Sequence, residues 1–296
     1  MSLSAERILI VNADDFGYTP GVNRAILECS IRGPVRSTSL MAAGPAFDDA
    51  VRLAKSEEKL GVGVHLTLTE LKPVLPPERL PGLAGPSGLL PAGLGALAAC
   101  LLRSDTRASV AAELRAQVAR VVDHGIRPTH LDSHKHVHLL PPVMECAATI
   151  ARDFSIRWVR NPFEHPSSLL FCRELGWGQR WPFFTQYAKG RLCALFGPAF
   201  QSAVKRAGLR APDRFYGISF TGLMNRGIVE RLLENLPPGV SELMVHPGIC
   251  DEDLRGSRTR LLRQREVEKE ILTSPFFEGM VKKHNITLSC FGEEIR

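Results

Sequence analysis

Apolar residues along this chain come in short runs separated by stretches with helical spacing. Ile8-Leu9-Ile10-Val11 predicts a strand over 7–12, and Val22, Ala25, Ile26 and Cys29 then share one side of a helix over 21–31. The pattern repeats: a strand over 37–43, a helix over 46–55, and a strand over 61–68 in which Val62, Val64, Leu66 and Leu68 alternate with smaller or polar residues. Residues 71–95 are rich in Pro and Gly and have no period. A loop of that length in a compact domain is functional or mobile. An amphipathic helix over 109–124 ends at Gly125. A strand over 129–132, a helix over 141–153 and a strand over 156–160, stopped by Asn161-Pro162, come next. Residues 164–212 are irregular, with Phe, Trp and Tyr interleaved among Arg and Lys. A strand over 216–220, a helix over 228–236, a strand over 242–246, a charged helix over 254–272 and a last strand over 287–291 complete the chain.

Strands alternating with helices predict an α/β fold with a mainly parallel sheet. Seven or eight such units in 296 residues fit a (β/α) barrel, regular or distorted, better than two open sheets. No repeat or linker divides them, so residues 1–296 read as one domain. The 71–95 loop and the 164–212 insertion sit on it.

Composition narrows the classes. Hydrophobic residues make up 44% of the chain, which supports a sizeable core and excludes global disorder. The net charge of +6 is mild and no groove-entering or RNA-binding motif accompanies it, so no nucleic acid partner is expected. The seven cysteines are odd in number and widely spaced, unlike a disulfide framework or a cysteine zinc site. They read as mostly small buried hydrophobes in a reducing cytoplasm. No apolar stretch resembles a signal peptide or approaches the ~20 residues of a spanning helix, so a cytoplasmic location is expected.

The chemistry-bearing residues share one address. Asp14-Asp15 follows the first strand, His65 is late in the third, and His130 to His138 spans the end of the fourth. Arg160 ends the fifth, and His246 ends the strand over 242–246. Barrel enzymes assemble their sites at such carboxyl ends. Each piece also has a plainer reading: one aspartate capping the next segment, His65 hydrogen-bonded in the core, a His-rich surface loop, a lone His-Pro-Gly turn. Residues 130, 132, 134, 136 and 138 would share one face of a strand by its period of two. Four imidazoles and a carboxylate on one face are costly without a metal, and they suit Zn²⁺ and related ions. Some of them would orient the ligands rather than bind. His246, followed by Pro247 and Gly248, is a candidate acid or base.

The stretches NADDFG at 12–17, GVHLTLT at 63–69, THLDSHKHVH at 129–138 and MVHPG at 244–248 resemble, in order and spread, the YdjC-like carbohydrate deacetylases. The runs at 73–83, 159–162 and 206–219 are similar to the hopanoid-associated branch, and HLDSHKHVH to the chitooligosaccharide branch. The resemblance implies a distorted TIM-like (β/α) barrel and a divalent metal ion, Zn²⁺ or Mg²⁺, held by Asp15, His65 and His134. It implies Asp14 as general base and His246 as general acid, and we expect Arg160 and His138 to bind substrate. The implied reaction removes acetyl from an N-acetylated amino sugar, either an oligosaccharide or a glycolipid such as an N-acetylglucosaminyl hopanoid, and releases acetate. The aromatic segment would wall the cleft, pack in the core, or touch a membrane peripherally if the substrate is a glycolipid. A homo-oligomer is left open. The rivals are another metal-dependent amide or phosphoester hydrolase on the same barrel and a non-catalytic metal- or sugar-binding protein.

Overall fold

The computed structural model describes residues 6–293. Its central strand, β1 (Arg7–Phe16), is buried almost throughout, as the Ile-Leu-Ile-Val run requires. Around it a parallel sheet is built from β2 (Ser37–Leu40), β3 (Gly61–Leu66), β4 (His130–Ser133), β5 (Trp158–Val159), β6 (Arg214–Tyr216), β7 (Gly239–Val245) and β8 (Ile286–Ser289). The order is β5-β4-β3-β2-β1-β7-β6, with β8 also pairing β1. A strand has two edges. β7 takes one along Arg7–Ala13, so β8 (beside Arg7 to Ile10) and β2 (beside Asn12 to Phe16) share the other. The seam between β5 and β6 is drawn together by two isolated parallel bridges, Trp158 with Arg210 and Glu164 with Phe215. The result is the expected α/β architecture, a curled parallel sheet that makes a distorted TIM-like barrel.

Helices α1 (Pro20–Arg32), α2 (Phe47–Ser56), α3 (Leu94–Cys100), α4 (Ser104–Asp123), α5 (Pro141–Asp153), α6 (Trp177–Cys193), α7 (Gly197–Ala207), α8 (Arg226–Glu234), α9 (Glu252–Gly256), α10 (Arg263–Leu272) and α11 (Pro275–Lys283) accompany the sheet. The core lies largely between helices and sheet. On α1, Val22, Ala25, Ile26 and Cys29 are buried, the side that their spacing predicts. The barrel interior is different. Asn12, Ser39, His130, Asp132, Arg160 and Glu242 are all fully buried there and bonded to one another. Gly63 makes room for one of them, because a Cβ at that position would lie 2.3 Å from the His130 ring.

Several local expectations are corrected. The 164–212 segment is helical, containing α6 and α7. The 254–272 helix is two pieces, α9 and α10. The 216–220 strand stops at Tyr216, because the backbone N–H groups of Gly217, Ile218 and Ser219 donate to the buried Glu164 carboxylate instead of to a neighbouring strand. The 71–95 loop is tied down by Glu113 of α4, whose carboxylate accepts from the N–H groups of Val74 and Leu75 at 2.8 and 3.0 Å. Of the seven cysteines, all free, only Cys29 is fully buried. No described helix is long and apolar enough to cross a membrane.

Candidate active site and metal centre

β1 does not end where its apolar run ends. It continues to Phe16, with a register irregularity against β2 between Ala13 and Phe16, and Asp15 has a φ of 67°. Irregularities of this kind re-aim side chains at sheet ends. Here the two adjacent aspartates, both lining one cleft of about 740 Å³, take different partners. Asp14 accepts two parallel bonds from Arg160, at 2.7 and 2.6 Å, and a third from Asn12 at 2.9 Å. Asp15 Oδ2 accepts from Arg265 at 2.6 Å. Asp15 Oδ1, equally buried, has no hydrogen-bond partner among the described residues.

What faces that oxygen is a pair of imidazoles. His65 Nε2 lies 3.6 Å away and His134 Nδ1 3.3 Å away. The β3–β4 register explains the first: His65 is directly opposite Asp132, whose Oδ1 is 2.8 Å from His65 Nδ1. A carboxylate on one ring nitrogen leaves the other to face the cleft, the arrangement that orients metal-binding histidines. His134 comes from a turn. Ser133 ends β4, and its Oγ accepts from the His138 N–H at 3.0 Å, closing a loop in which Lys135 and His136 are left-handed. His134 Nε2 is 3.7 Å from Glu70, which Lys135 also contacts at 2.6 Å.

This turn overturns the single-face reading of 130–138. His130 is buried inside the barrel, stacked on Phe291 with centroids 4.0 Å apart. His134 and His136 line the cleft. His138 is fully buried, with Nε2 3.2 Å from the Arg160 carbonyl. Arg160 is fully buried as well, and its guanidinium meets three carboxylates: Asp14, Asp132 at 2.7 Å and Glu242 at 2.7 Å. Neither Arg160 nor His138 lines the cleft, so their surroundings do not match the expectation that they touch substrate. Arg160 instead braces Asp14.

The electrostatics follow the packing. Burial opposes the Asp15 charge, but Arg265 and His134 outweigh it and hold the carboxyl well below its ordinary range. Burial likewise opposes a charged His134, and its contacts with Asp15 and Glu70 reverse this, pushing the imidazole up to about 9. Glu70 is drawn down to about 2, by His134 first and then Lys135. His246, just past β7, is lowered to about 4, mainly by burial and against the pull of Asp14 and Asp15. Its N–H donates to Glu268 at 2.6 Å.

The site fits a divalent cation. Asp15, His65 and His134 each offer one atom, and these atoms all lie within 4.8 Å of one another. A buried carboxylate oxygen without a donor, between two imidazole nitrogens, is costly unless a cation or proton fills the gap. Cation and His134 proton compete for that gap. A second group, Asp14, His65 and Asp132, satisfies the same spacing. There Arg160 already occupies the carboxylates. Sequence reasoning missed Arg265, Glu70 and Glu242. Only Glu70 carried a signal, as the acidic residue directly after the GVHLTLT stretch.

Comparison with known proteins agrees with this architecture. A family model described as YdjC-like protein matches residues 8–283, and the chain belongs to that family. A carbohydrate deacetylase of Brevibacillus brevis is 34% identical over 286 residues, covering 96% of this chain and 98% of that protein. One from Geobacillus stearothermophilus is 32% identical, covering 97% and 98%. A crystal structure from Enterococcus faecalis, described as a cellobiose-phosphate cleavage protein, superposes with a TM-score of 0.77 at 27% identity, covering 97% of this chain and 98% of that one.

Proposed function

We propose that this chain is a metal-dependent hydrolase that removes the acetyl group from the nitrogen of an acetylated amino sugar, releasing acetate. Relatives that cover nearly the whole chain bear the name carbohydrate deacetylase, which supports an acetylated sugar as substrate. The observation that carries the metal part is the unpartnered, buried Asp15 Oδ1 between His65 and His134. Those three residues would hold the cation. When bound, a divalent ion supplies Lewis acidity, polarising a carbonyl oxygen and lowering the pKa of water.

The remaining steps belong to the protein. Asp14 lines the same cleft one residue earlier, held in a fixed orientation by Arg160, and takes the proton of the attacking water. His246 hands a proton to the departing nitrogen, which is otherwise a poor leaving group. Burial keeps His246 near 4 and so neutral beforehand, and it relays to the nitrogen the proton that Asp14 takes from the water. Acetate release should be followed with N-acetylglucosamine, its oligomers and a lipid-linked form, before and after chelation. Loss on chelation and recovery with Zn²⁺ or Mg²⁺ is expected. Acetate release indifferent to chelation, or none from any acetylated sugar, overturns the reading.

A further inference from the structure

Helix α6 carries an apolar stripe that none of the described residues covers. Trp177, Trp181, Phe184, Ala188 and Leu192 recur at spacings of four, three, four and four, which sets them on one side of the helix. All are exposed, Trp177 by 86%, Trp181 by 79% and Leu192 by 66%. The opposite side, with Phe183 and Gly190, is buried. Of the twelve large hydrophobics exposed among the described residues, eight lie between Leu169 and Phe196. Such concentration marks a contact surface rather than ordinary scatter.

Charge is concentrated in the same place. Residues 164–212 hold seven Lys or Arg against two Glu, so this segment carries +5 of the chain's +6. Both glutamates are engaged, Glu164 with backbone N–H groups and Glu174 with Arg231. By helical spacing Lys189 flanks one edge of the stripe and Arg180 and Arg191 the other, with the Arg180 guanidinium 4.7 Å over the Trp177 ring. Trp and Leu on a crest bordered by basic groups is the make-up of helices that lie in the interface of an anionic bilayer. A second copy of the chain would bring the same positive patch against itself, which disfavours self-pairing.

The stripe also borders the reaction cleft: Trp181, Pro182, Thr185 and Lys189 line it together with Asp15 and His134. We propose that α6 docks the protein on an anionic lipid surface with the mouth of the cleft at that surface. The docking does not depend on the reaction proposed above.

The test is flotation of the full chain with phosphatidylglycerol–phosphatidylcholine vesicles and with phosphatidylcholine alone, using Trp177→Ser/Leu192→Ser as the variant. Both positions are exposed and outside the cleft. The wild type should float with the anionic vesicles and be released by salt, and the variant's bound fraction should fall about tenfold. The variant's acetate release from a soluble acetylated sugar should be unchanged, which separates loss of docking from loss of fold or of reaction. No flotation of the wild type overturns the proposal. So does equal flotation of the variant, or a concentration-dependent dimer that the variant abolishes.

Discussion

Two clusters of ionisable side chains meet at the top of the barrel, each built around one of the adjacent aspartates of β1. In the first, Asp14, Asp132 and Glu242 surround Arg160, and the guanidinium donates to all three carboxylates. In the second, Asp15 faces His65 and His134 with Oδ1 unfilled. The first is closed because an arginine fork carries several fixed donors and a permanent charge. The second is open because its nearest cation, Arg265, reaches only Oδ2. Adjacent aspartates of one strand thus differ in the partners they take and in what those partners leave free. A closed cluster sets orientation, whereas an open one leaves a ligand position.

The largest effect should come from converting one cluster's chemistry without touching the other. Asp15→Asn is expected to lose bound metal and reduce kcat by about 10³-fold or more. Asp14→Asn is expected to keep full metal content while kcat falls about 10²–10⁴-fold. Elemental analysis and acetate release on the two proteins read the difference. Near-normal kcat in Asp14→Asn ends the base assignment.

Arg160→Met probes the closed cluster. Removing the guanidinium leaves Asp14 and Asp132 buried without their cation and Glu242 Oε1 without its donor, and the expected cost is about 3–5 kcal/mol of stability, read by urea denaturation. A loss below about 1 kcal/mol would mean that the cluster is not held by this arginine.

The most gradual effect is a pH slope. Glu242 is pushed up to about 8, chiefly by burial, with Asp14 and Asp132 adding to it and Arg160 opposing. Its second oxygen has no hydrogen-bond partner among the described residues. The folded protein therefore keeps a proton that the unfolded chain releases above its ordinary 4.5. Stability from this group is present at low pH and is lost as pH rises from near 4.5 through about 8, by at most about 1.4 kcal/mol per pH unit. Glu242→Gln should flatten that slope. An unchanged slope in denaturation series at about pH 5 and about pH 8 places the proton elsewhere.

Much of the fold was legible. Ile8 to Val11, the alternation from Val62 to Leu68 and the α1 spacing read correctly, because a buried strand or a half-buried helix imposes its own period on nearby residues. The 130–138 stretch did not, because the bond from the His138 N–H to Ser133 Oγ ends the strand, and no apolar period reports a side-chain–backbone bond. The irregular reading of 164–212 failed for another reason. Its helix α6 exposes the apolar residues that a core-facing pattern would bury.

By itself the sequence determined the parallel α/β order and the placing of Asp14, Asp15, His65, His134 and His246 at the carboxyl ends of strands, since local periodicity is written in consecutive residues. Only the tertiary structure decided that Arg160 locks Asp14 while Arg265 leaves one oxygen of Asp15 free. Those partners lie 146 and 250 residues away, and strand register and barrel curvature, not spacing along the chain, bring them within bonding distance.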